Sequence, residues 1–142
     1  MIGPFLRLQP PRTVAAVARL RRDCAAWART CGVNDTTIDD LSLVVSELAT
    51  NAVRHGSGAR MRLVVARIGD TIDLRIDDDG PPSDPPDAPD GAGRGLAIVR
   101  ALARELTLDQ GPAGTSVHVR LRILPDTAPP AGAATLPRDQ GP

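Results

Sequence analysis

The chain has 142 residues, 42 % of them hydrophobic, and a formal net charge of zero, which fits one domain with a real core and argues against nucleic acid or a membrane surface as partner. Every basic side chain is Arg and none is Lys, so a Walker-type phosphate loop is excluded. No apolar run is long enough to span a bilayer and Met1 to Pro11 holds no signal-peptide core, so the expected location is the cytoplasm.

Residues 1–12 form an N-terminal segment in which Phe5, Leu6 and Leu8 suit a short strand, ended by Pro10 and Pro11. Thr13 can cap a first helix, along which Ala16, Leu20, Cys24, Trp27 and Cys31 recur on one stripe. Arg19, Arg22 and Arg29 lie off that stripe, and Gly32 is a suitable stop. Cys24 and Cys31 stand about 10 Å apart along one helix axis, too far for a disulfide, and read as two buried thiols. Asn34 or Asp35 can cap a second helix, whose buried face is Leu41, Val44, Val45, Leu48, Ala49 and Ala52 and which ends near His55-Gly56. Strands Met61 to Ile68 and Thr71 to Ile76 follow, joined by a Gly69-Asp70 hairpin turn.

The polar stretch from Asp77 to Gly93 is too long and irregular for a plain connection, so it is either a functional lid or disordered. A third helix is expected to start near Gly95, with Leu96, Val99, Leu102, Ala103 and Leu106 as its stripe. Thr107 to Leu108 and Ser116 to Ile123 read as closing strands, the latter alternating Val117, Val119, Leu121 and Ile123 with polar residues. Residues 125–142 are rich in Pro, Ala and Gly with little to bury, and are expected to be disordered. The expected architecture is an α/β (α+β) two-layer sandwich: a mostly antiparallel mixed sheet with three helices on one face.

Four places carry candidate chemistry. Glu47 and Asn51 are four apart on the second helix and share a face, with Arg54 and His55 expected on the same side one turn on. By periodicity alone this strip is a solvated helix face. The sharper reading is a metal and phosphate site, since an Asn carbonyl suits Mg²⁺ and a carboxylate can take a proton from an attacking hydroxyl. Period two places Asp78 inward at a strand end, with Asp77 and Asp79 outward. There it either reaches water or meets a donor such as an adenine amino group. Gly91-Ala92-Gly93-Arg94-Gly95-Leu96 precedes a helix, where glycines and free amides can receive an anion, or simply make a loop. Thr115, after Gly114, could bond a ligand or merely open a strand.

The order Glu-x-x-x-Asn on a helix, Asp-x-Gly after a strand, Gly-x-Gly-Leu opening a helix and Gly-Thr entering a strand resembles the N, G1, G2 and G3 boxes of the GHKL superfamily. Ser46-Glu47-Leu48-Ala49-Thr50-Asn51-Ala52-Val53-Arg54-His55-Gly56 is the most specific match. The resemblance covers about Thr13 to Ile123 and is closest to the small anti-sigma-factor serine/threonine kinases. It implies the Bergerat ATP-binding fold over residues 13–124, with ATP and Mg²⁺ as cofactors. Asn51 would ligate Mg²⁺ and Glu47 would be the general base. Asp78 would accept the adenine amino group, Gly80 would let the base approach, and Thr115 would support Asp78 or a bridging water at the adenine. Residues 81–94 would form the ATP lid, with Gly93, Arg94, Gly95 and Leu96 at the phosphates and Arg54 and His55 completing the helix side.

One departure stands out. Asp78-Asp79-Gly80-Pro81-Pro82 carries Pro where the family often has a second Gly, and Pro fixes φ and removes an N–H. The leading expectation is a protein serine/threonine kinase that phosphorylates an antagonist protein and controls a sigma factor. The alternative is a non-catalytic, ATP-responsive binding module. A histidine kinase-like catalytic domain fits less well, because only His55 and His118 exist and neither sits on a dimerising helix. A homodimer is a further expectation from the resemblance.

Overall fold

A computed structural model describes residues 3–80 and 92–125. The chain runs β1 (Phe5–Leu8), α1 (Val14–Thr30), α2 (Asp35–His55), β2 (Met61–Ile68), β3 (Thr71–Asp79), α3 (Ala92–Leu102), β4 (Glu105–Gly111) and β5 (Gly114–Arg122). The five strands form one sheet in the order β1-β2-β3-β5-β4, and each of these pairings is antiparallel rather than mixed.

Capping starts both long helices as the sequence suggests. The Thr13 hydroxyl accepts from the Ala16 amide at 3.3 Å, and the Asn34 side chain accepts from the Thr37 amide at 2.8 Å. Asn34 has a second role, donating its side-chain amide to the Leu124 carbonyl, while the Leu124 amide donates to the Thr37 hydroxyl at 3.1 Å. The start of α2 is thus stapled to the chain leaving β5. Asn34→Ala is expected to destabilise the protein by about 1–2 kcal/mol, a cap plus a long-range bond; urea unfolding checks it.

The two layers meet in one core. Leu20 and Cys24 of α1, Leu41, Val44, Val45 and Leu48 of α2, and Val99 of α3 are buried against Met61, Leu63, Val65, Ile72, Leu74, Ile76, Val119 and Leu121 of the sheet. Burial along β3 alternates strictly, the mark of a strand with one covered face. The other face is polar in its centre. Arg120 on β5 bridges Asp73 of β3 and Glu105 of β4, both at 3.1 Å, an exposed network of small net worth.

Several expectations need correcting in detail. Ala28 takes the buried position in the last turns of α1, leaving Trp27 only partly covered. Cys24 is fully buried, its thiol pushed up to about 12 by burial, whereas Cys31 is half-buried; both are free. Leu106 belongs to β4, opposite Val119, and not to α3. The helix ends at Leu102 because the Arg104 amide turns to the Arg120 carbonyl at 2.8 Å and opens the β4–β5 ladder. The hairpin at Gly69-Asp70 forms as expected, with Ile68 opposite Thr71 and Gly69 at φ +61°. No described helix is long and apolar enough to cross a membrane.

Candidate functional site

β3 runs three residues past its expected end, through the three aspartates to Asp79. It does so because strands flank it on both sides there: Asp78 lies between Met61 of β2 and Thr115 of β5. Alternation then turns the Asp78 side chain toward the helices, and it is only 6 % exposed. Asp79 points the other way and pairs with Arg62 at 2.9 Å.

The Asp78 carboxyl sits under the C-terminal end of α2. A Cβ on Gly56 would stand 3.1 Å from Asp78 Cγ and 2.5 Å from the Ala52 carbonyl oxygen, so this approach needs glycine. The Thr115 backbone N–H donates to the carboxyl, which gives Thr115 a definite part. Asp78 Oδ1, also buried, receives no hydrogen bond from the described residues. Burial pushes the carboxyl above the usual carboxylate range; the Thr115 amide and the Arg12 guanidinium pull it back, and Asp79 and Asp77 add to the rise. A buried, unsatisfied acceptor is costly, and a ligand donor would relieve that cost.

Gly80 follows with φ +85°, and a Cβ there would lie 2.2 Å from Ser57 Oγ. The positive φ favours glycine, whereas the Ser57 hydroxyl, a side-chain end, could turn away from a Cβ. The Gly80 amide donates to the Ala113 carbonyl at 3.0 Å, tying the end of β3 to the β4–β5 turn.

On α2, Glu47 and Asn51 are half-buried, at the edge of the buried face and not on an open solvated one. His55, also half-buried, ends the helix beside Gly56. Asn51 precedes Gly56 by five residues, about 7 Å along the axis, so the polar strip leads toward Asp78. Arg54, seven residues after Glu47 and so on nearly the same bearing around α2, is exposed and also borders a groove between α1 and α2 with Val14, Val17, Arg21 and Val53. Gly93, Arg94 and Gly95 fall in the first turn of α3, which begins at Ala92, three residues before the expected start. Leu96 is half-buried against the core. The rest of the expected lid, residues 81–91, lies outside the described residues, as does the tail from 126.

Sequence reasoning missed Arg12. Its side chain donates to the Val53 carbonyl at 2.7 Å and to the Gly58 carbonyl, closing the loop between α2 and β2 over Asp78. Nothing in the local sequence signals this, since those partners lie more than forty residues away.

An antiparallel sheet with three helices over one face, a buried strand-end carboxylate and a Glu/Asn strip on the central helix define a class of nucleotide-binding sandwich. The chain belongs to the histidine kinase-like ATPase domain family, which matches residues 11–121. Among solved structures it is similar to the RsbU and RsbW domains of Rv1364c from Mycobacterium tuberculosis, at 25 % identity and a TM-score of 0.70 over 85 % of this chain and 33 % of that one. It is also similar to a blue-light activated histidine kinase of Erythrobacter litoralis, at 27 % identity and 0.53 over 64 % of this chain and 32 % of that one. The histidine kinase AdeS of Acinetobacter baumannii, at 15 % identity and 0.51 over 87 % of this chain and 69 % of that one, shares the fold. The chain thus spans about a third of the first two of these proteins.

Proposed function

We propose that this protein is an ATP-dependent regulatory serine/threonine kinase. It would transfer the γ-phosphoryl group of ATP to a Ser or Thr of an antagonist protein, and so control a sigma factor by partner switching. The observation that carries the reading is the buried Asp78 carboxyl with Oδ1 unsatisfied among the described residues. An exocyclic adenine amino group is a donor of the right kind for it, and Thr115 and Gly80 border the same place. Likeness to a structure containing an RsbW domain supports the regulatory side of the reading.

In this reading Asp78 orients the base and Thr115 holds Asp78 through its amide. The Asn51 side-chain oxygen would hold Mg²⁺, which supplies charge neutralisation at the phosphates when bound. Mg²⁺ commonly takes few protein ligands and several phosphate oxygens, so one Asn suffices. The α3 N-terminus, reached through Gly93, Arg94 and Gly95, would face the phosphates with free amides. Glu47 accepts the proton of the attacking hydroxyl. A cytoplasmic location and a homodimer belong to the same reading.

The second reading, a binding module whose lid reports the nucleotide state, is favoured by Pro82 after Gly80-Pro81, which removes an amide from the start of the lid. Calorimetry with ATP, with and without Mg²⁺, tests the shared core of both. Wild type is expected to bind in the micromolar range, roughly 8 kcal/mol, and Mg²⁺ to tighten it. Asn51→Ala is expected to bind about tenfold more weakly and to lose the Mg²⁺ effect. A folded wild type that binds no ATP would end both readings.

A further inference from the structure

We propose that Arg12 is a positioning residue for the adenine end of the site: from the segment before α1 it holds the α2–β2 loop and the Asp78 carboxylate as one unit. The inference rests on the reading of Asp78 as the adenine acceptor.

The geometry begins with the backbone. The segment before α1 is zipped onto the far side of the loop: the Arg12 amide donates to the Ala59 carbonyl at 2.9 Å, the Met61 amide donates to the Pro10 carbonyl at 3.0 Å, and Pro11 bridges Arg60. The Arg12 side chain then passes beneath Gly56. Its Cδ and Asp78 Cγ each lie 3.1 Å from the point where a Gly56 Cβ would stand. Only a glycine lets the two groups share that space.

The guanidinium spends its donors on carbonyls, those of Val53 and Gly58. Val53 lies in the last turn of α2, where exposed carbonyls carry the negative end of the helix dipole and favour a cation. One planar head thus fixes the last turn of α2 and the loop beyond it, which carries Ser57 against Gly80. Its charge also acts on Asp78, opposing the effect of burial. Among the described residues, the other charged groups around Asp78 are Asp77 and Asp79 on its own strand and Arg62 on β2, which is occupied by Asp79. From α2 the nearest titratable group in sequence is His55, and β5 brings only Thr115 and Ser116 opposite Asp78 and Asp77. Among the described residues Arg12 is thus the cation, not already paired with another carboxylate, whose charge favours the ionised form of this acceptor, and a carboxylate accepts two amino-group contacts where a carboxylic acid offers fewer.

A merely structural Arg12 would alter stability and leave the charge state of Asp78 alone. The full chain is therefore titrated in three forms, wild type, Arg12→Gln and Arg12→Lys, following the Asp78 carboxyl carbon by NMR without nucleotide and ATP·Mg²⁺ affinity by calorimetry over the same pH range. Arg12→Gln is expected to move the Asp78 midpoint to higher pH and to carry the acid limb of ATP affinity with it, with affinity about tenfold weaker at neutral pH. Arg12→Lys, which keeps the charge and loses the fork, is expected to restore the midpoint and recover part of the affinity. ATP binding with an Asp78 titration unmoved by Arg12→Gln would overturn this inference alone. Absence of ATP binding by the folded wild type would instead remove the nucleotide reading, and the adenine role of Arg12 with it.

Discussion

Asp78→Asn is expected to weaken ATP binding about a hundredfold, roughly 2.7 kcal/mol, while making the protein more stable. The two effects have one origin. Asp78 is buried, with Oδ1 unpaired among the described residues, so the fold bears a desolvation cost that a ligand donor would offset. Asn removes the charge and lifts most of that cost, on the order of 1 kcal/mol. It also replaces one of two acceptor oxygens by a donating NH2, and with the remaining oxygen held by the Thr115 amide that NH2 takes the free position. A donor facing the adenine amino group is worse than an empty space, because a buried polar pair is then mismatched.

The pH dependence follows from the same carboxyl. Its pKa in the folded protein is raised above 3.8, so the native state holds this proton more tightly than the unfolded chain. The contribution of Asp78 to stability is complete below that value and is lost as pH rises through the folded pKa. The advantage of Asp78→Asn is expected to open across that window and persist at neutral pH. Urea unfolding from acid to neutral pH, with calorimetry on the same samples, reads both. An Asn variant that binds ATP like wild type would remove Asp78 as the adenine acceptor; one less stable at neutral pH would show that the buried carboxylate is satisfied.

The parts of this fold legible in the sequence are those governed by local rules. Caps at Thr13 and Asn34, the stripe of α2, the Gly69-Asp70 turn and the inward setting of Asp78 all follow from periodicity and turn chemistry over a few residues. What could not be read was decided by distant partners. Leu106 keeps helical spacing with Leu102 and Ala103, yet pairing with Val119 takes it into β4, a tertiary override of local pattern. Asp77 to Asp79 have poor strand propensity and still extend β3, because neighbouring strands hold them in the ladder. In the site, Glu47, Asn51, Asp78, Gly80 and Thr115 could be picked out because each motif is local. Arg54 shares their bearing on α2 by its spacing of seven from Glu47, and it also borders the groove between α1 and α2. Arg12 was out of reach, since its acceptors are carbonyls and carry no residue code.

Glu47→Gln is expected to lower phosphoryl transfer by about 10²–10⁴-fold while ATP affinity changes by less than about threefold. Gln keeps the shape and hydrogen-bonding reach of Glu and loses only the ability to accept a proton, so a selective fall in transfer isolates the base. The position of Glu47 suits a general base. It is half-buried on α2, one turn before Asn51 and thus beside the expected metal and γ-phosphate, not at the adenine end marked by Asp78. Transfer from γ-labelled ATP is followed in an extract of the native cell, with the phosphorylated product tested for acid stability. Acid-stable phosphate on Ser or Thr that vanishes with Glu47→Gln would carry the kinase reading. Acid-labile phosphate would point to His as acceptor and to the histidine kinase-like alternative. A wild type that binds ATP tightly and transfers nothing would leave Glu47 without a proton to take, and the binding-module reading would then account for both the Pro82 departure and the intact adenine end.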